Sequence, residues 1–328
     1  MEESVRIQLR CEGNTHGGVL LIYMGIMNVS VVLLMFLSLV MQMISVLAAN
    51  PQFEINENLI NGFLEKATEF SNWGYLLAIG LGLALILLWK KPKYFCQTIF
   101  APGGQMKAKD FLLITIVFFS GQQLFQWWYL LMEAAANGLG FSLETLLESA
   151  TVSDDSIPIF LYACLLGPIA EEILLRGLIL RSLQPYGKKF AILVSSLLFG
   201  LFHGNLLQVP FAFFVGLVMG YVALEYNIYW AILLHLMNNL VFADLVPRVL
   251  SLLPEGMDDL ILAVFLLICS VGTVLILILR WRDVRDYWKG SPTEKGTYAA
   301  FFLAPAMIVF MAISALIIIA LPMLALLQ

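Results

Sequence analysis

Residues 171 to 176 read Glu-Glu-Ile-Leu-Leu-Arg in the middle of an otherwise apolar stretch, so Glu171, Glu172 and Arg176 stand where lipid-compatible residues belong. Charged side chains at membrane depth are costly, and they are kept by facing a bundle interior and pairing with one another. The other ionisable side chains at comparable depth in nearby apolar segments are His203 and His235. Together these residues point to one intramembrane site.

The rest of the chain supplies the membrane setting. Of 328 residues, 61% are hydrophobic and 12% charged, and the charged share is about half that of an ordinary soluble domain. Runs near the roughly 20 apolar residues needed to cross a bilayer lie at about 19–48, 73–89, 111–136, 157–183, 190–208, 211–226, 229–249, 259–280 and 299–327. The fold class expected is an all-α polytopic bundle of eight to nine transmembrane helices, with the catalytic core in four central ones. Leu47-Ala48-Ala49 resembles a signal cleavage site, but the first run is too long for a signal core and reads as a retained helix.

Charge alternates along the connections. Arg6 and Arg10, the Lys90 to Lys109 group, Arg181 with Lys188 and Lys189, and Arg280 to Lys295 fall on alternate loops. Glu54, Glu57, Glu65, Glu69, Glu144, Glu148, Asp154, Asp155, Asp258 and Asp259 fall on the others. By the positive-inside rule the amino terminus is cytoplasmic and the carboxyl terminus outside. The net charge of −5 averages these two faces, and no nucleic-acid signature accompanies it. Cys11, Cys96, Cys164 and Cys269 are scattered without paired spacing, so structural thiols are expected.

No low-complexity linker divides the chain, and residues 1–328 read as one membrane domain. Residues 157–249 differ from the flanks at 1–156 and 250–328 because they hold the deep ionisable groups and two glycine pairs, Gly200/Gly204 and Gly216/Gly220. Such spacing lets helices approach closely.

Within that core, Glu172 and Arg176 are four apart and share a helix face, whereas Glu171 is rotated away by about 100° and has no partner at that spacing. The geometry nominates Glu172 as structural and Glu171 as free to act. Gly167-Pro168 upstream can kink the helix near the site. His203 follows Phe199 by one turn, and a neutral imidazole can move protons near physiological pH. His235 and Asn239 are four apart and can project into one volume, where such donors could hold an oxyanion. Asn238 beside them reads as polar glue between helices. Gln122, Gln123 and Gln126, with Trp127 and Trp128, make the third segment polar on one side, and packing against the site is expected of them.

A carboxylate, two imidazoles and a carboxamide can activate water and stabilise a tetrahedral intermediate, and amide hydrolysis within the bilayer is the natural reaction class. No serine sits in a nucleophile elbow and no His-Glu-x-x-His spacing occurs. No permanent metal is expected; a divalent ion such as zinc, if bound, would take Glu171, His203 and His235.

The ordered set Glu171-Glu172-x-x-x-Arg176, Phe199-x-x-x-His203 and His235-x-x-x-Asn239 resembles the signature of the CPBP family, which contains the type II CAAX prenyl endopeptidases and the bacterial proteins once called Abi. The resemblance covers about residues 157–249. It implies that Glu171 and His203 activate water, that His235 and Asn239 form the oxyanion side, and that Glu172 and Arg176 support them. It also implies a glutamate-dependent mechanism without an obligatory metal, although the family has been labelled metalloprotease. Its substrates would be a prenylated CAAX tail or a bacterial leader or bacteriocin-like peptide, so the partners expected are a membrane-associated peptide or lipidated protein and the bilayer itself. On this reading Glu171→Ala and His203→Ala abolish cleavage while Asn238→Ala is mild. Two other classes compete: a non-enzymatic immunity or scaffold protein, which would tolerate Glu171→Gln, and a proton-coupled transporter, against which the lack of an inverted repeat counts.

Overall fold

The structure, a computed structural model, describes residues 2–49, 56–144, 146–147, 156–254 and 256–325. Among the described residues every regular element is helical. Helix α1 (Glu3–Ala49) has 47 residues and is about 70 Å long at 1.5 Å per residue, so it overshoots a hydrocarbon core of about 30 Å. Its first turns carry Arg6, Arg10 and Glu12 and extend the helix well before the expected start at residue 19. Asn56 caps α2 (Glu57–Ser71) by accepting from the Leu59 N–H at 2.9 Å, as short polar side chains do at a helix start. Helix α3 (Trp73–Tyr94) follows directly and is kinked at Lys91, just before Pro92.

Then come α4 (Ala108–Gly138), α5 (Ile157–Tyr186), α6 (Lys188–Phe202), α7 (Gln208–Glu225), α8 (Ile228–Leu250), α9 (Met257–Leu279), the polar α10 (Trp281–Lys289), α11 (Thr297–Phe302) and α12 (Pro305–Ala325). Among the described residues, seven helical stretches are long and apolar enough to cross a membrane: α1, the α2–α3 run to Ile99, α4, α5, α7, α8 and α9. The other two expected segments differ in form. Residues 190–208 hold the 15-residue α6, which stops because Gly204 turns the chain at φ +64°, a left-handed conformation that favours glycine. The last segment is divided into α11 and α12, separated by Leu303 and Ala304.

Gly204 therefore does not complete a helical packing pair with Gly200; it redirects the chain behind His203. The second pair does pack. A Cβ on Gly216 would lie 3.1 Å from Ser196 Cβ and one on Gly220 3.3 Å from Ile192 Cγ2, so α7 lies close against α6. Helix α5 is the centre of the bundle: all eight residues from Ile173 to Leu180 are buried, the signature of a helix covered on every side. The outer faces of α1 and α9 expose Val32, Phe36, Ile268 and Ile278, apolar side chains suited to lipid.

The basic connections meet at one end of the bundle. Lys188 Nζ lies 2.6 Å from Glu225 Oε1, the Tyr287 hydroxyl donates to the same oxygen at 2.8 Å, the Gly104 N–H donates to the Glu225 carbonyl at 3.1 Å, and Arg181 Nη2 donates to the Ala223 carbonyl at 2.7 Å. Burial and the Glu225 carboxylate push the Tyr287 phenol well above its ordinary value. Of the acidic residues on the alternate connections, Glu54, Glu148, Asp154 and Asp155 lie outside the described residues.

Gly216→Ala tests the α6–α7 contact. Its Cβ would press on the Ser196 backbone at 3.2 Å, and overpacking of this kind costs about 1–3 kcal/mol, expected as a lowered melting temperature of the protein in detergent.

Candidate active site

Helices α5, α6 and α8 bring the charged and polar side chains to one wall of a cavity of about 880 Å³. The backbone there is not regular. Helix α5 widens to π geometry over Leu161–Leu166 and again over Ile173–Leu180, and α8 over Met237–Leu245; such widened turns recur at functional sites.

Glu172 and Arg176 are both fully buried, and Arg176 Nη1 donates to Glu172 Oε1 at 2.8 Å, as the four-residue spacing predicts. Arg176 Nη2 reaches the Gly216 carbonyl at 3.5 Å, and its guanidinium lies 4.3 Å over the Phe199 ring, a favourable cation–π placement. Both imidazoles stand nearly perpendicular to that ring, with centroids 4.7 Å away for His203 and 5.5 Å for His235. Phe199 is the hydrophobic hub of the site.

Glu172 Oε1 also takes His235 Nδ1 at 2.9 Å, a bond between helices that the sequence spacing did not suggest. Because a carboxylate only accepts, Nδ1 carries the proton. His235 Nε2 then lies 3.8 Å from Glu171 Oε2, too long for a hydrogen bond. In the neutral ring Nε2 is an acceptor, so it can donate to an oxyanion only in the imidazolium form. His203 obeys the same logic. Its Nδ1 faces the Phe199 carbonyl at 2.8 Å, which leaves Nε2 as the nitrogen able to accept a proton.

Glu171 is 17% exposed and lines the cavity, as do His203, His235 and Asn239. The side chain within 4 Å of Glu171 is His235 rather than His203; Glu171 and His203 share the cavity wall without a direct bond among the described residues. Among those residues no three His, Cys, Asp or Glu side chains are grouped so as to hold a metal.

Asn239 is anchored by a backbone defect. The Gly167 N–H bonds the Tyr162 carbonyl, five residues back, and Pro168 has no N–H to offer the Ala163 carbonyl. Asn239 Nδ2 donates to that carbonyl at 2.8 Å. The other asparagine, Asn238, donates from Nδ2 to Asn239 Oδ1 at 3.0 Å and accepts from Gln122 Nε2 at 2.7 Å. Gln122 and Gln126 line the cavity, and Trp128 Nε1 donates to the Leu206 carbonyl at 3.0 Å. The third histidine, His16, is apart from all this: it is buried in α1, with Nε2 2.6 Å from Ser182 Oγ and 3.0 Å from Glu12 Oε2.

The cavity of this polytopic helical bundle thus carries a partly exposed carboxylate, two oriented imidazoles and a carboxamide, groups with the chemistry to activate water. Residues 153–241, about a quarter of the chain, match a family model described as Type II CAAX prenyl endopeptidase Rce1-like, so this region is similar to the family whose signature the sequence resembles. Neither the curated proteins nor the solved structures yield a match to the chain. The cavity also draws on helices beyond the matched region, including Met24 and Met27 of α1, Gln122 of α4 and Leu266 of α9.

Arg176→Ala would leave Glu172 buried without its cation, and breaking a buried pair in this way costs about 3–5 kcal/mol. A large fall in melting temperature in detergent is expected, partly recovered in the double variant Glu172→Gln/Arg176→Met.

Proposed function

We propose that the protein is a glutamate-dependent intramembrane endopeptidase that cuts a membrane-associated peptide or lipidated protein, either a prenylated CAAX-type tail, in keeping with the name of the matched family, or a leader or bacteriocin-like peptide. The observation that carries the reading is the division between adjacent carboxylates: Glu172 is fully buried and bonded, whereas Glu171 reaches the cavity with no hydrogen bond to a side chain among the described residues.

In the proposed reaction Glu171 takes a proton from a water molecule oriented by His203 Nε2, and the oxygen of that water adds to the scissile carbonyl. The tetrahedral oxyanion is held by the imidazolium Nε2–H of His235 and by the second Nδ2–H of Asn239, the first being engaged with Ala163. Collapse breaks the C–N bond, and the proton held by Glu171 passes to the leaving amine. Glu172 fixes the His235 ring by its bond to Nδ1, and Arg176 holds Glu172 in place. Every proton taken is returned, so the protein ends as it began.

Comparative peptidomics of membranes holding wild-type or Glu171→Ala protein tests this. A processed peptide present with the wild type and missing with Glu171→Ala and His203→Ala is expected, while Glu171→Gln is equally inactive. Full processing by a folded Glu171→Ala or Glu171→Gln protein would falsify the mechanism and favour a scaffold role.

The reading also places the amino terminus in the cytoplasm, supported by the basic connections that share one end of the bundle. Cys11 is exposed in α1. In a Cys96→Ser background it should react with a membrane-impermeant maleimide only after cells are permeabilised; labelling of intact cells reverses the orientation.

A further inference from the structure

Three side-chain amides cross from α4 to α5 in a row, and one backbone atom fixes the orientation of all of them. The Ala163 carbonyl can only accept, so Asn239 must present Nδ2 to it. Asn239 then shows Oδ1 to Asn238, which must donate; Asn238 in turn shows Oδ1 to Gln122, which must also donate. Reversing any amide would set two donors or two acceptors face to face. The three bonds, of 2.7, 3.0 and 2.8 Å, therefore form a directed chain from Gln122 Nε2 to Ala163 O.

Gln122 is brought to the start of this chain by its neighbour. Gly121 lies against α7, where a Cβ would be 2.9 Å from Val215 Cγ1, so α4 can approach closely enough for a glutamine to reach Asn238. Gln122 lies outside the matched family region at 153–241. Hydrogen bonds in a low-dielectric interior polarise one another and hold their members more firmly than separate bonds would.

We propose that Gln122 is a positioning residue for Asn239: acting through Asn238, it holds the Asn239 carboxamide so that its second Nδ2–H faces the cavity. The catalytic consequence rests on the reading of Asn239 as an oxyanion donor; the orienting role does not. Asn238, read from the sequence as simple glue, becomes the middle link, and Asn238→Ala is no longer expected to be mild.

The near-isosteric Gln122→Met keeps the volume and removes the donor. With full-length protein in lipid nanodiscs labelled with 15N-asparagine, the side-chain NH2 signals of both Asn238 and Asn239 should shift in Gln122→Met and stay in place in Gln126→Met, a change in another cavity residue. The Asn239 signal is assigned by its loss in Asn239→Ser. If the Asn238 signal moves and that of Asn239 does not, the chain does not transmit and the proposal is overturned.

The kinetic arm uses the peptide identified by peptidomics. Gln122→Met should lower kcat about tenfold with KM unchanged, less than the 10²–10³-fold loss for a removed oxyanion donor, and the double variant Gln122→Met/Asn238→Ala should be no slower than Asn238→Ala alone. Additive losses, or an effect confined to KM, overturn the catalytic consequence. Should Asn239→Ala keep full kcat, the oxyanion reading fails, while the asparagine signals still decide whether Gln122 orients Asn239.

Discussion

The centre of the bundle depends on one oxygen atom. Glu172 Oε1 accepts from Arg176 Nη1 and from His235 Nδ1 at 2.8 and 2.9 Å, in a position with no exposure. A carboxylate so deeply buried would be untenable alone, and a guanidinium in the same place equally so. Each makes the other tolerable, and together they hold an imidazole from a third direction. Because Arg176 also lies over Phe199, and Phe199 touches both histidines, the pair sets the positions of rings on α6 and α8 as well as on its own helix.

The neighbouring residue is then free to do something else. Two adjacent glutamates on a helix point about 100° apart, and here that angle separates a buried anchor from a side chain that reaches a cavity. The same division extends to the histidines: each has its Nδ1 engaged, by Phe199 or by Glu172, and each has one nitrogen left for chemistry. The ring orientations come from the Phe199 carbonyl and the Glu172 carboxylate.

What could be read in the sequence was what one helix contains. The apolar runs indicated a helical membrane bundle, the spacing of Glu172 and Arg176 gave their bond, and that of Phe199 and His203 gave their shared face. Contacts between helices were beyond such reasoning. His235 meets Glu172 across 63 positions, and Gln122 meets Asn238 across 116, distances at which no periodicity operates. Gln122 had been expected only to pack against the site. Pro168 announces a carbonyl without its helical partner, but regular α geometry would make it that of Cys164, four residues back, and only the π turn moves the vacancy to Ala163, where Asn239 fills it. His16 was overlooked although Glu12 lies four residues before it. Helix lengths were misjudged where a turn intervenes, as at Gly204.

The cavity has two kinds of wall. Glu171, His203, His235 and Asn239 line it from α5, α6 and α8, whereas Met24, Met27 and Leu266 stand on helices outside the matched segment. Substitutions along α1 or α9 can therefore reshape the cavity without replacing any of the polar side chains that α5, α6 and α8 bring to it.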